Sequence, residues 1–206
     1  MIKLIYKPID YLNIKLSDQS RQKYNLDILL PFFIAFTISC VLLFINYKDN
    51  SINIFYKDIS FLGSITSFFQ SMPGFYIAAL AAIATFPSAS MNKTMPEPTP
   101  YLLRDRDEKD EDKNRDFLSR RRFLCYMFAY LSFISIFFFF LSVTLSFIYS
   151  FKIFEISNIL LYIGYFMSSL VVFYIVFQTI FITFLGLWYL GHRIHLNDNS
   201  TESNDI

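Results

Sequence analysis

Residues 28–47 read ILLPFFIAFTISCVLLFINY, twenty positions without one charged side chain. As an α-helix this stretch is roughly 30 Å long, the thickness of one hydrocarbon core. Pro31 suits a first helical turn, where its missing N–H costs nothing. The stretch therefore predicts a transmembrane helix. Working outward, three more long apolar runs follow, at 61–86, 123–149 and 159–190. A soluble core would break its apolar residues into shorter runs at helical or strand period. Here the aromatic content (26 Phe and 14 Tyr) is concentrated in the runs, and the charges lie between them.

The runs are not equivalent. In the second, Phe61, Leu62, Ile65, Phe68, Phe69 and Met72 recur at helical spacing. Between them lie Gly63, Ser64, Thr66, Ser67, Gln70 and Ser71, a small, polar face. Met72-Pro73-Gly74 then predicts a break or kink. Two arrangements fit: one kinked span, or an interfacial or re-entrant half-helix followed by a short span. The fourth run is about 48 Å long as a helix and must tilt or project beyond the bilayer.

Between the runs, the basic residues set an orientation. With the N-terminus inside, fifteen Lys and Arg fall on the cytoplasmic side and three outside. The expected fold is thus an all-α membrane protein with four transmembrane helices and both termini in the cytoplasm. Its second span is kinked or preceded by an amphipathic half-helix. The parts are a cytoplasmic N-terminal segment (1–25), a first transmembrane hairpin (26–86), a cytoplasmic charged loop (87–122), a second hairpin (123–190) and a cytoplasmic tail (191–206). The first run begins after Lys3, Lys7, Asp10, Lys15, Asp18, Arg21 and Lys23, too late for a cleavable signal, so the first span is expected to stay. Trp188 and Tyr189 read as an interfacial anchor.

Several classes of chemistry are disfavoured. The net charge of +1 provides no global field for nucleic acid, and no direct nucleic-acid binding is expected. Cys40 and Cys125 each lie within an apolar run and read as small buried hydrophobes. His192 and His195 have only Asp198 nearby, so no metal site and no cofactor are expected. The interiors of the runs contain no Asp, Glu, Lys, Arg or His, with Asp27 at the edge of the first. That pattern argues against an energised pump or a voltage gate. No nucleophile–base pairing or phosphate-cradling motif is present.

Packing and docking features remain. Gly74, Ala78 and Ala82 lie four apart beside Ala81 and Thr85, spacing that lets two helices approach closely, within the chain or between copies. Gln178 reads as interhelical hydrogen-bonding glue. The Ser64, Ser67, Gln70, Ser71 face reads as a headgroup-level amphipathic surface or, in an oligomer, as a pore or vestibule lining. The charge-dense loop reads as a solvated segment or as a docking surface using Arg104, Arg106, Lys109, Lys113, Arg115, Arg120, Arg121 and Arg122. The last three adjoin the membrane and suit anionic lipid headgroups. Asp116 or Ser119 is placed to cap the third helix. Ile9, Leu12 and Leu16 fit an interfacial helix, whereas Leu12, Ile14 and Leu16 fit a strand.

MPGFYIAALAAIATF at 72–86, followed by the proline-rich PSASMNKTMPEPTPYLL, resembles KwaA, the membrane subunit of the bacterial Kiwa anti-phage defence system. The resemblance extends over the layout of spans and charged loop. It implies a tetramer in the bacterial inner membrane that binds KwaB, a cytoplasmic DNA-binding subunit. On that reading the chain is a non-enzymatic sensor and scaffold that localises an effector. The alternative is an oligomeric pore or channel effector. An intramembrane enzyme ranks last.

Overall fold

The computed structural model describes residues 6–17, 20–48, 55, 61–85, 89–95, 99–103, 114–150 and 158–191. Four helices among them are long and apolar enough to cross a membrane, an all-α membrane fold. The first span is composite. Helix α1 (Ser20–Tyr24) passes through a π-helical turn (Asn25–Leu29) into α2 (Leu30–Lys48). The others are α3 (Phe61–Thr85), α5 (Arg120–Ser150) and α6 (Asn158–Gly191), with a one-turn α4 (Ala89–Asn92) after α3. At 34 residues α6 is about 50 Å long, the length its run implies.

The spans pack as two main pairs, the second with the third and the first with the fourth. Helix α3 packs mainly on α5 and α2 mainly on α6, and contacts between α5 and α6 join the two halves. The buried residues of α3 are Leu62, Phe69, Tyr76 and Ile83, seven apart, which is the seam of one helix laid along another. Phe69 meets Phe138 with ring centroids 4.2 Å apart. On α2 the buried positions include Pro31, Ala35 and Ser39, small residues that let α6 approach closely. Lipid is as apolar as these side chains, so dispersion contact rather than hydrophobic transfer holds the helices together. Hydrogen bonds such as Thr66 to Ser142 (3.0 Å) and Tyr76 with Thr183 (2.7 Å) add on the order of 0.6 kcal/mol each.

At the end of the bundle where α3 finishes and α5 begins lies a small folded platform. A 3-10 helix (Lys7–Asn13) packs on α5, and β1 (Lys15–Leu16) follows it. The N-terminal segment is therefore part helical and part strand. β1 pairs antiparallel with β2 (Pro100–Leu103), and β2 with β3 (Arg115–Phe117). Because Leu103 pairs with Arg115, residues 104–114 are the connection of a β-hairpin. Ser119 caps α5, its hydroxyl accepting from the Arg122 N–H at 3.3 Å.

The structure corrects four expectations. The half-helix arrangement is not adopted: α3 runs unbroken through Pro73. Pro73 has no N–H for the Phe69 carbonyl, but nearby hydroxyls support the turns before it. Ser67 donates to Gly63 O at 3.0 Å and Ser71 to Phe68 O at 2.8 Å. The first span begins at Ser20 rather than at Ile28, so Pro31 lies well inside it. Cys40 is exposed and Cys125 only half-buried, since an apolar run has a lipid face as well as a protein face. Of the expected anchor pair, Trp188 is exposed, but Tyr189 is buried against Phe123, ring centroids 5.9 Å apart.

Gly186 marks the tightest glycine contact. A Cβ built there would lie 2.5 Å from Met127 Cε, the flexible tip of a fully buried side chain. We expect Gly186→Ala to be nearly neutral, because Met127 can turn aside, and Gly186→Leu to cost about 1–3 kcal/mol by overpacking. Equilibrium unfolding in detergent micelles would measure both.

Candidate functional site: a buried charge pair in the bundle

Pro31 creates the site. Lacking an N–H, it cannot donate to the Asp27 carbonyl four residues earlier, and its ring would crowd that carbonyl in a regular α-helix. The backbone widens into the π-helical turn at Asn25–Leu29, with Leu30 N–H reaching back to Asn25 O. Such turns are frequent at functional sites. The Asp27 carbonyl accepts from Gln178 Nε2 on α6 at 3.1 Å. The same amide nitrogen donates to Tyr174 Oη at 3.2 Å, and Gln178 Oε1 accepts from Tyr130 Oη of α5 at 2.8 Å. One amide side chain thus joins three spans.

The Asp27 side chain, 2% exposed, turns into the same interior. Lys23 Nζ donates to its Oδ2 at 2.7 Å, an i,i+4 pair across the π turn. The ammonium also donates to the Tyr11 carbonyl at 3.2 Å and lies 4.4 Å from the Tyr11 ring centroid. Tyr11 is fully buried, stacked on Tyr130 at 5.5 Å and tilted against Phe123 at 6.2 Å. Its hydroxyl lies beside the Asp27 carboxylate. Burial first, and then the neighbouring carboxylate, holds the Tyr11 phenol protonated well above its ordinary range.

This cluster departs from the sequence expectation. Lys23 belonged to a soluble segment and Asp27 to the edge of a span; both are buried within the bundle. A buried ion pair in a membrane helix is by default a candidate for function. The sequence signal was present but indirect: a Lys and an Asp four apart on a helix, a proline four residues after the Asp, and one amide in the fourth span.

The docking residues have different fates. Arg104, Arg106, Lys109 and Lys113 lie outside the described residues, as do His192, His195 and Asp198. Arg115 sits over the Tyr101 ring at 4.9 Å. Arg120 is 2% exposed, which turns it away from any docking surface. Arg121 donates to Ala84 O at 3.1 Å, at the end of α3. Arg122 forks onto Asp116 with bonds of 3.3 and 2.9 Å. Gly74, Ala78 and Ala82 lie exposed on α3, as do Ser64, Ser67, Gln70 and Ser71. Among the described residues no three His, Cys, Asp or Glu side chains come together.

No protein-family model, curated protein or solved structure matches the chain.

A buried ion pair tolerates the loss of both charges better than the loss of one. Lys23→Met alone strands the Asp27 carboxylate and should cost about 3–5 kcal/mol of stability in micelles. Lys23→Met combined with Asp27→Leu should cost less than the single change. A double variant that costs the sum of its parts would show that the two charges do not act as a pair.

Proposed function

We propose that this chain is a non-enzymatic sensor and scaffold subunit of an anti-phage defence complex in the bacterial inner membrane. It presents a charged hairpin to a cytoplasmic DNA-binding effector. One observation carries the reading: Leu103 and Arg115 are paired in the platform, so the most charged stretch of the chain, 104–113, joins two strands anchored on the bundle. A purely solvated linker has no need of such anchoring. The basic-residue asymmetry supports an orientation with the platform and both termini in the cytoplasm. The likeness to the Kiwa membrane subunit supports the nature of the partner.

Self-association belongs to the same proposal. Ser64, Ser67, Ser71, Gly74, Ala78, Ala81 and Thr85 alternate three and four apart along α3, and all are exposed. This seam joins Ser64, Ser67 and Ser71 of the expected polar face to Gly74 and Ala78 of the expected small-residue stripe, with Gln70 and Ala82 to its side. A small side chain at each position suits close backbone approach by another copy, a tetramer on the implied plan. The pore reading rests on the same face. The Ser67 and Ser71 hydroxyls already donate to carbonyls of their own helix, which favours packing over a water-filled lining.

Replacing 104–113 by a Gly/Ser linker should abolish recovery of the cytoplasmic partner in pull-downs while leaving the protein in the membrane. Undiminished recovery would refute docking through the hairpin. Gly74→Leu with Ala78→Leu should lower the assembly mass in native mass spectrometry without lowering the melting temperature of the protomer. For the pore reading, planar-bilayer recordings of the purified protein decide: an absence of conductance eliminates it.

A further inference from the structure

We propose that the N-terminal segment is a charge-held latch that couples the arrangement of spans one, three and four to the charged hairpin. Tyr11 is where the two meet. Its ring is clamped between α5 residues Phe123 and Tyr130, and its carbonyl and ring face both hold the Lys23 ammonium. Lys23 is fixed in turn by Asp27, and the Asp27 backbone by Gln178 of α6. These contacts draw on three different spans, so the Tyr11 seat is complete only when all three stand in their present relation.

From Tyr11 the chain leads directly to the platform. Ile14 N–H donates to Tyr11 O at 3.2 Å, and Lys15 and Leu16 then pair with Tyr101 and Pro100 of β2. β2 is the central strand, so the N-terminal segment holds one edge of the sheet whose other edge, β3, closes the hairpin. The route from spans to hairpin is thus a continuous series of ion pair, aromatic stack and strand pairing. The Lys23 ammonium is its weakest link to replace, because an apolar substitute supplies neither bond and leaves a bare carboxylate beneath Tyr11. A displacement of one span against the others, as when the bilayer is deformed or a ligand wedges the bundle, would unseat Tyr11 and free the sheet edge. This coupling gives the sensor reading a physical route but does not depend on the identity of any partner.

Hydrogen exchange of the full chain in lipid nanodiscs tests it without a partner. In Lys23→Met, amides of the β2 and β3 peptides should exchange about tenfold faster, together with those of residues 7–16, while the centres of α3 and α6 stay protected. Lys23→Arg, which keeps the charge and its donors, should restore most of the protection. Leu16→Pro cuts the route beyond the latch: the hairpin should loosen while the Tyr11 segment stays protected. Unchanged β2 and β3 exchange in either Lys23→Met or Leu16→Pro would overturn the coupling. If Lys23→Met fails to fold, Leu16→Pro alone carries the test. Loss of partner recovery with normal coupling would bear on the docking proposal and not on the latch.

Discussion

A helix in lipid must satisfy its backbone from within, because no water is there to do so. The first span breaks that condition at one known point. Pro31 withholds the N–H that the Asp27 carbonyl would receive, and Gln178 supplies a replacement from the fourth span. Much of the platform end follows from this exchange. It brings α6 against the π turn, and that turn carries the Asp27 side chain inward. The buried carboxylate needs a cation, and Lys23, one turn earlier, provides it. The ammonium then has donors to spare, and the Tyr11 carbonyl takes one. A backbone requirement of a single residue thus draws a polar, N-terminal stretch into an apolar interior.

The spans were legible because a charge-free run of membrane length suits little besides a bilayer, and Ser119 was legible as a cap because helix starts have a local chemistry. Gln178 was legible as glue because an isolated amide in lipid must find partners. Lys23 and Asp27 were read as soluble and peripheral because a residue-by-residue hydropathy counts both as costs. Spaced four apart on a helix, they can pair, which offsets part of that cost. Which apolar residues face protein was also hidden. Phe69 is buried and its neighbour Phe68 exposed, although the two are chemically identical. Strands of two to four residues, one of them opening on Pro100, show no alternation long enough to read.

Three successive arginines illustrate the limit of composition. A count of positive charges treats Arg120, Arg121 and Arg122 alike, and all three support the same orientation. In the fold one is buried, one closes the end of α3, and one is bound to Asp116. Side chains that a charge count treats as free are thus engaged within the fold at this end of the bundle. The outward face of α3 has the opposite character. One stripe of it carries hydroxyls and methyls, flanked by the exposed bulk of Phe61, Phe68, Phe75 and Ile77, whereas α2 exposes Phe32, Phe33, Phe36 and Phe44.

The contact of Arg121 with the Ala84 carbonyl bears on how such a chain can diversify. It places the exit of the second span beside the entrance of the third, so the long stretch between them leaves and returns at one corner. The contour length of that excursion is then independent of the spacing of the helices. Closure entropy grows by only about 0.6 kcal/mol for each doubling of a flexible loop. Sequence can be added, removed or exchanged at the hairpin tip with little strain on the bundle. The membrane portion in effect serves as a socket whose geometry does not depend on the length of what is inserted there.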